Sequence, residues 1–379
     1  MTTHRARVIA FDDLLNGLME CVERGTVNIM TDQERGLSLF CYSKSCVYDR
    51  AWDEFSKLAR GLILDCHNRR VVATPFEKFF NVSERSDTIP DLPFEIFEKL
   101  DGSLIILFWH NGWRAATKGS LKSEQAMWAK DWIERHDLSA LDLGTTYLCE
   151  AIYPQNRIVI QYSYTALVLL AAYDAGGCEL GYGELSETAT RLGWPLAKRY
   201  PVAAISELLA SAKTLPANDE GWVLRFENGM RLKVKGEEYL RIHRMVSRLT
   251  PLAVWESMMN GDDLIAFRKE LPEEFWTDFD AIWSLIDRQA RKIIIDTGEA
   301  LKAARMTQTG PDLTDKEVGL MLDKFPSHVR PFVFPYRKQN GDLMQGRART
   351  ALFRHIRPTG NRLDGYVPSG SVMRAQEPG

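Results

Sequence analysis

The chain has 379 residues, 45% apolar and 26% charged, which leaves room for two or three domains with real cores. Its net charge of −3 excludes a global polyanion-binding surface, so nucleic-acid contacts would have to come from local patches. The longest apolar runs, such as Ala166–Tyr173, are too short to span a bilayer, and the first five residues lack the apolar stretch of a signal peptide.

Phe11–Arg24 has helical spacing, with Leu14, Leu15, Leu18, Met19 and Val22 on one side. Strand-like runs follow at Leu37–Tyr42, Gly61–Asp65, Val71–Thr74, Phe94–Lys99 and Leu104–Trp109. They continue at Tyr147–Ile152, Ile158–Gln161, Ala166–Ala171, Gly221–Phe226 and Met230–Val234. Turn chemistry at His67-Asn68-Arg69, Asn111-Gly112 and Asn228-Gly229 separates several of them. Helical insertions are expected at Ser123–Glu134 and Glu184–Leu192. Many strands with hairpin-type turns predict an α+β fold of antiparallel sheets with flanking helices.

After Tyr239 the alternation stops. Leu240–Asn260 and Pro272–Ala304 read as helices, the second with Phe275, Phe279, Ile282, Ile286 and Ala290 on one stripe. Asp315–Phe325 and Arg347–Ile356 read as two more. A boundary near residue 245 therefore divides a first domain, 1–245, from a smaller, mainly helical one, 246–379. From Lys324 to Arg374 there are ten Lys or Arg against two acids, Asp342 and Asp364, with aromatics between them. That composition suits single-stranded nucleic acid, with phosphates on the cations and bases on the rings. It equally suits a solvated tail whose rings pack on the helices.

The chemistry concentrates around Lys99-Leu100-Asp101-Gly102-Ser103, between two apolar strands. A lysine buried there is expected to be desolvated, to lose basicity and to become a nucleophile. On its own, the segment reads more simply as a snorkelling lysine beside an Asp-Gly turn. Further along, Arg60 opens a strand, Lys78 sits among Phe76, Phe79 and Phe80, and Glu150 lies within an apolar strand. Glu220 stands at the start of another strand, and Arg231, Lys233 and Lys235 alternate along a last one. Residues i, i+2 and i+4 of a strand share a face, so these three cations repel one another and invite a polyphosphate. Together the parts describe a phosphoryl-transfer site, with Glu150 and Glu220 as carboxylates for Mg²⁺, directly or through water. No Walker-type Gly-x-x-x-x-Gly-Lys-Ser/Thr is present, which argues against a P-loop ATPase. The six cysteines form no Cys-x-x-Cys pair, so reduced thiols are expected and a zinc site is not.

Lys-x-Asp-Gly, then Glu-Gly-x-Val, then Lys-x-Lys, in this order, resembles the covalent nucleotidyltransferases: DNA ligases, RNA ligases and mRNA capping enzymes. The segment Lys118-Gly119-Ser120-Leu121-Lys122-Ser123-Glu124-Gln125-Ala126, with Arg60-Gly61, Glu77–Asn81 and Asn156–Val159, is closer to the ATP-dependent tRNA-repair RNA ligases of T-even bacteriophages. The resemblance covers residues 60–239. It implies attack of Lys99 on the α-phosphorus of ATP, transfer of the adenylate to an RNA 5′-phosphate, and sealing by a 3′-hydroxyl. It implies catalytic roles for Lys99, Lys233 and Lys235. It places Arg60, Lys78, Phe80, Asp101, Gly102, Lys118, Glu150, Glu220 and Tyr239 around the nucleotide, with Mg²⁺ as cofactor and Mn²⁺ as a substitute. RNA, as single-stranded ends or a nicked tRNA loop, is the implied partner of a monomer. The implied setting is the cytoplasm, that of the host cell if the chain is phage-encoded. A DNA ligase or capping enzyme would normally carry a β-barrel after Lys-x-Lys, where this chain reads as helical. From another class, an idle RNA-binding protein on a ligase scaffold is the alternative, and it would not need Lys99, Glu220, Lys233 and Lys235.

Overall fold

The runs rich in β-branched and aromatic residues form three sheets. β1 (Val27–Asp32), β2 (Leu37–Tyr42), β3 (Arg60–Asp65) and β4 (Arg70–Ala73) make the first, in that order. β5 (Phe80–Asn81) and β6 (Phe94–Glu98) follow in the chain. β7 (Ser103–Trp109), β8 (Trp113–Ala116), β9 (Thr146–Ile152) and β10 (Ala166–Tyr173) make the second, ordered β10-β9-β7-β8. β11 (Arg199–Tyr200), β12 (Gly221–Phe226) and β13 (Arg231–Lys235) join β5 and β6 in the third, ordered β11-β6-β12-β13-β5. Among the described residues only the short β13–β5 pair is parallel. This computed structural model describes residues 3–84, 89–247, 249–271, 273–306, 313–359, 362–369 and 372. The chain divides into two compact units, Met1–His243 and Arg244–Gln376.

β7 shows why its sequence is continuously apolar. Ile105 and Leu107 pack on one side with helix Glu124–Ile133, while Ile106 and Phe108 pack on the other against the first sheet. Both faces are buried, so no polar alternation survives. β1 is the opposite case and escapes the sequence reading: residues 28–31 are all exposed, so no core-facing alternation marks it.

Ile158–Gln161, expected as a strand, is irregular backbone. Val159 and Ile160 direct their N–H groups to the Asp101 carboxylate, 2.8 Å each, instead of to a neighbouring strand. A local side-chain acceptor has replaced the ladder.

The second unit is helical. The expected Leu240–Asn260 helix is two, Glu237–Ser247 and Pro251–Asn260, because Thr250 caps the second and Pro251 occupies its first turn. Helix Trp276–Met306 buries Phe279, Ile282, Ile286 and Ala290 on its inner stripe, as its periodicity demands. The expected start of that helix, Pro272, lies outside the described residues.

Half of the aromatics in the basic tail belong to the core. Phe325, Phe332 and Phe353 are buried, and the Tyr366 hydroxyl donates to Asp278 at 2.8 Å. Arg330 and Arg337 donate to backbone carbonyls of Phe325 and Leu313, capping chain turns. Rings held in a core cannot stack on bases, so that part of the expectation falls for these three phenylalanines. The exposed Lys338, Arg347, Arg354 and Arg357 remain at the surface, whereas Arg374 lies outside the described residues. No helix among the described residues is long and apolar enough to cross a membrane.

Candidate active site

The turn from β6 to β7 carries Lys99, and three distant segments fix it. Asp101 is 3% exposed; its Oδ2 accepts from the Val159 and Ile160 amides, and its Oδ1 accepts from the Tyr239 hydroxyl at 2.8 Å. The Asp101 amide donates to the Tyr162 hydroxyl at 2.8 Å. Next to it, the Gly102 amide donates to Glu150 Oε1 at 3.0 Å. A Cβ on Gly102 would lie 2.6 Å from the Ala151 carbonyl oxygen, so only glycine brings β7 this close to β9. Ser103 Oγ donates to Asn156 Oδ1 at 3.0 Å, and Asn156 Nδ2 returns a bond to Ala151 O at 2.7 Å.

Glu220, 3% exposed, is the electrostatic centre. Lys99 Nζ lies 2.8 Å from its Oε2, and Lys235 Nζ lies 2.8 Å from its Oε1. β12 runs between the strands leading to these two lysines, so one carboxylate at its edge reaches both. Burial alone would raise the Glu220 carboxyl, but the charges of Lys235 and Lys99 outweigh it and hold it down to about 2. Gly221 makes this edge possible. Its φ is +130°, and a Cβ there would lie 2.0 Å from the Val234 carbonyl oxygen. Gly221→Ala is therefore expected to cost about 1–3 kcal/mol in backbone strain, with the clash in addition. Denaturant melts should show a lowered midpoint, and an unchanged midpoint would refute the account.

The expectation that Lys99 loses basicity by burial does not hold. Burial does press its pKa down, but Glu220 and then Glu150 outweigh it, so the ammonium is held above its ordinary value. The group that does lose its proton is Lys233. Burial, with Lys235, Lys99, Lys78 and Arg60 around it, lowers its pKa to about 6. Glu150 moves the other way: burial pushes it up to about 7 against the pull of Lys99.

β13 behaves as its alternation demands, with Leu232 and Val234 buried and the three cations on the other face. The three are not equivalent, however. Arg231 is buried and spent on Glu179, which also pairs with Arg225 at 2.7 Å. Lys235 is paired with Glu220, and Lys233 has no acidic partner among the described residues.

Arg60, Lys78, Lys118 and Phe80 form the neighbouring part of the site. Lys78 Nζ lies 5.1 Å from the Tyr42 ring centre, 5.2 Å from Trp52 and 5.8 Å from Phe80. Lys118 Nζ lies 5.7 Å from Tyr42, and the Arg60 guanidinium sits 5.0 Å over Phe79. Burial lowers the Lys78 pKa, as its aromatic surroundings predict, with Arg60 and Lys118 acting in the same direction. Arg60 Nη1 is buried with no hydrogen-bond partner among the described residues. An orphaned buried donor is costly unless an acceptor arrives.

The structure thus brings all twelve residues named from the sequence into the first unit. The fields of Lys99, Lys78 and Arg60 meet at Lys233, which joins the two parts into one site. Tyr42, Trp52, Tyr162 and Asn156 were not named as site residues. Asn156 had a signal, since it lies in a segment that carried the resemblance; an isolated Tyr42 or Trp52 gives none.

The profile of the RNA ligase family matches residues 58–240, a stretch that contains all twelve. That stretch is similar to RNA ligases. Over 240 residues it is 28% identical to a protein of Autographa californica nuclear polyhedrosis virus whose name couples polynucleotide kinase to RNA ligase. That alignment covers 55% of this chain and 34% of the viral protein, so the chain spans about a third of that relative's length. The RNA ligase of Rhodothermus phage RM378 is 22% identical over 352 residues, covering 69% of this chain and 80% of that one. An archaeal ATP-dependent RNA ligase of known structure overlaps 64% of this chain and 69% of its own, at 17% identity and a TM-score of 0.47. Within the matched stretch, Lys99, Glu220, Lys233 and Lys235 all lie on or beside the third sheet, whose strands set their spacing.

Proposed function

We propose that the chain is an ATP-dependent RNA ligase that joins a 5′-phosphate to a 3′-hydroxyl through a lysyl-adenylate. The observation that carries the reading is the cation cluster around Lys233. Lys99, Lys78, Lys235 and Arg60 gather there, and Glu220 alone pairs directly with Lys99 and Lys235 among the described residues. Cations gathered in a buried site attract an anion to it. The orphaned Arg60 Nη1 fits a phosphate oxygen in the same way.

Lys99 Nζ attacks the α-phosphorus, a P–N bond forms, and the bond to pyrophosphate breaks. Lys233 and Lys235 lie where negative charge builds on the α-phosphate, and Lys235 steadies it in the transition state. An RNA 5′-phosphate oxygen then displaces Lys99 from phosphorus, and a 3′-hydroxyl displaces AMP. Lys99 must shed a proton before it attacks. The approaching triphosphate attracts Lys235, and once that pair with Glu220 is broken the Glu220 carboxylate, 2.8 Å from Lys99, is the nearest acceptor for the Lys99 proton. Phe80, Lys118 and Tyr239 border the nucleotide.

A divalent cation, Mg²⁺ or Mn²⁺, would offset charge on the departing pyrophosphate. Glu150 has one oxygen occupied by the Gly102 amide and the other available, which suits a metal held directly or through water. Glu220 already carries a lysine on each oxygen, so direct ligation there competes with both pairs. Among the described residues no group of three or more His, Cys, Asp and Glu side chains could hold a metal alone, consistent with substrate phosphates supplying the remaining ligands. The free thiols of all six cysteines suit the cytoplasm, and a monomer acting on broken RNA ends, such as a nicked tRNA loop, completes the proposal.

Label transfer tests it. ATP labelled at the α-phosphate should give a labelled protein band on a denaturing gel, and GTP should not. A GTP band would mean capping chemistry. No band from a folded protein freed of bound adenylate would sink the ligase reading.

Lys233 adds a pH signature. With a pKa of about 6 it is mostly neutral at pH 7, and a triphosphate beside it raises that value. Binding should therefore take up a proton near neutral pH, and affinity should rise as pH falls toward 6 and level off below. Calorimetry in two buffers of different ionisation heat measures the uptake, with Lys233→Met as the control that lacks it. Equal uptake in the two proteins would remove Lys233 from the account.

A further inference from the structure

A cavity of about 340 Å³ is lined in part by Lys78 and Phe80 of the candidate nucleotide site. That volume is on the scale of small-ligand pockets, about 300–1,000 Å³. Nothing in the adenylation chemistry uses its remaining lining, and that lining is chemically specific. His4 is 6% exposed, and its Nδ1 accepts from the Ala6 amide at 3.2 Å, which leaves the proton on Nε2. Nε2 is buried without a hydrogen bond of good geometry, its nearest acceptor being the Pro75 backbone. Burial, with Arg231 and Arg7 nearby, keeps the ring neutral by lowering its pKa to about 3. Glu77 lines the same cavity and makes no hydrogen bond or ion pair among the described residues. Its carboxyl is pushed up by burial and pulled back by Arg5, Lys57 and Arg231. Lys57, also in the lining, has no acidic partner among the described residues.

The cavity therefore offers a neutral donor short of a good hydrogen bond, an unspent carboxylate and an unspent ammonium, with the Phe80 ring at its shared wall. A bare anion such as pyrophosphate would gain nothing from a carboxylate facing it. A nucleotide satisfies all three: base N–H groups reach Glu77, a base acceptor takes the His4 Nε2 proton, and a phosphate meets Lys57. We propose that this cavity holds one nucleotide of single-stranded RNA next to the end being joined, recognised on its base by His4 and Glu77 and on its phosphate by Lys57. The inference rests on the ligase reading for which RNA end is concerned, and it adds a base-reading subsite to it.

The test uses the full chain and the variants Lys57→Ala and Glu77→Gln. Two quantities are read: lysyl-adenylate formation from ATP, and affinity for 5′-phosphorylated single-stranded oligoribonucleotides ending in each of the four bases. Adenylation should stay within about twofold of the parent, since neither side chain reaches the Lys99 cluster. Loss of a charge-assisted contact in Lys57→Ala should weaken RNA binding roughly tenfold. Glu77→Gln should alter the ranking of terminal bases, which a merely structural residue would not do. Unchanged affinity and ranking in both variants would overturn the subsite. So would weaker inhibition by pyrophosphate with RNA affinity intact, which would make the cavity a product exit. A fall in adenylation matching the fall in RNA affinity would make it supporting wall. If the parent forms no adenylate, the ligase reading fails separately, and the affinity data still decide the cavity.

Discussion

Lys99→Ala should abolish the covalent protein–AMP adduct while leaving ATP bound non-covalently. The first half follows from chemistry, because the substitution deletes the nucleophilic nitrogen and no other lysine can take its place. Lys235 is spent on the far oxygen of Glu220, and Lys233, although neutral enough to attack, sits on β13 among the cations Lys235, Lys99, Lys78 and Arg60. The second half follows from the groups that remain: Lys78, Lys235 and Arg60 are still there to meet the triphosphate, and Lys233 gains a proton as it binds. Label transfer on a denaturing gel reads the adduct, and equilibrium dialysis reads the bound nucleotide. An adduct that persists in the variant would remove Lys99 from the mechanism.

Glu220→Gln should leave a folded protein whose adenylation is slower by on the order of 10²-fold, the cost of a nucleophile displaced by about an ångström. Glutamine keeps the shape of the side chain and removes the charge that holds Lys99 and Lys235 in register, 2.8 Å from either oxygen. The same change has a second, opposite effect. Glu220 is the largest influence raising the Lys99 pKa against burial. Without it, burial dominates and the Lys99 pKa falls. The residual rate should therefore reach its plateau at lower pH than in the parent. Single-turnover adenylation across pH measures both effects. A residual rate with an unmoved pH profile would mean that Glu220 does not set the protonation of Lys99. Glu220→Ala is the harsher variant, because stranding buried charge typically costs about 3–5 kcal/mol.

Much of the site was legible because it is built from strands. Alternation along Arg231–Lys235 determines which groups share a face, and the apolar runs around Lys99 announce a buried turn. What could not be read is what the cations meet across space. Glu179, in the segment after β10, takes Arg231 out of the phosphate-facing set. Glu220 reverses the direction of the Lys99 shift, and neither effect leaves a trace in local sequence. The Ile158–Gln161 error has the same root. Its β-branched residues fit a strand, but the acceptor for its amides is Asp101, some sixty residues earlier. The tail fails in reverse: composition sees phenylalanines beside arginines, and only packing decides whether a ring faces solvent or the core.

One carboxylate shared by two lysines has a further result once the reaction begins. When Lys99 becomes a phosphoramidate it gives up its positive charge and acquires a negative phosphate beside it. Glu220 is then left with Lys235 as its one cation, and the local field changes by two elementary charges. On the proposed chemistry, the empty site attracts a highly charged nucleotide and the loaded site attracts a second one less. By the same chemistry, the adenylate marks the site as loaded by its charge, which disfavours a second nucleotide.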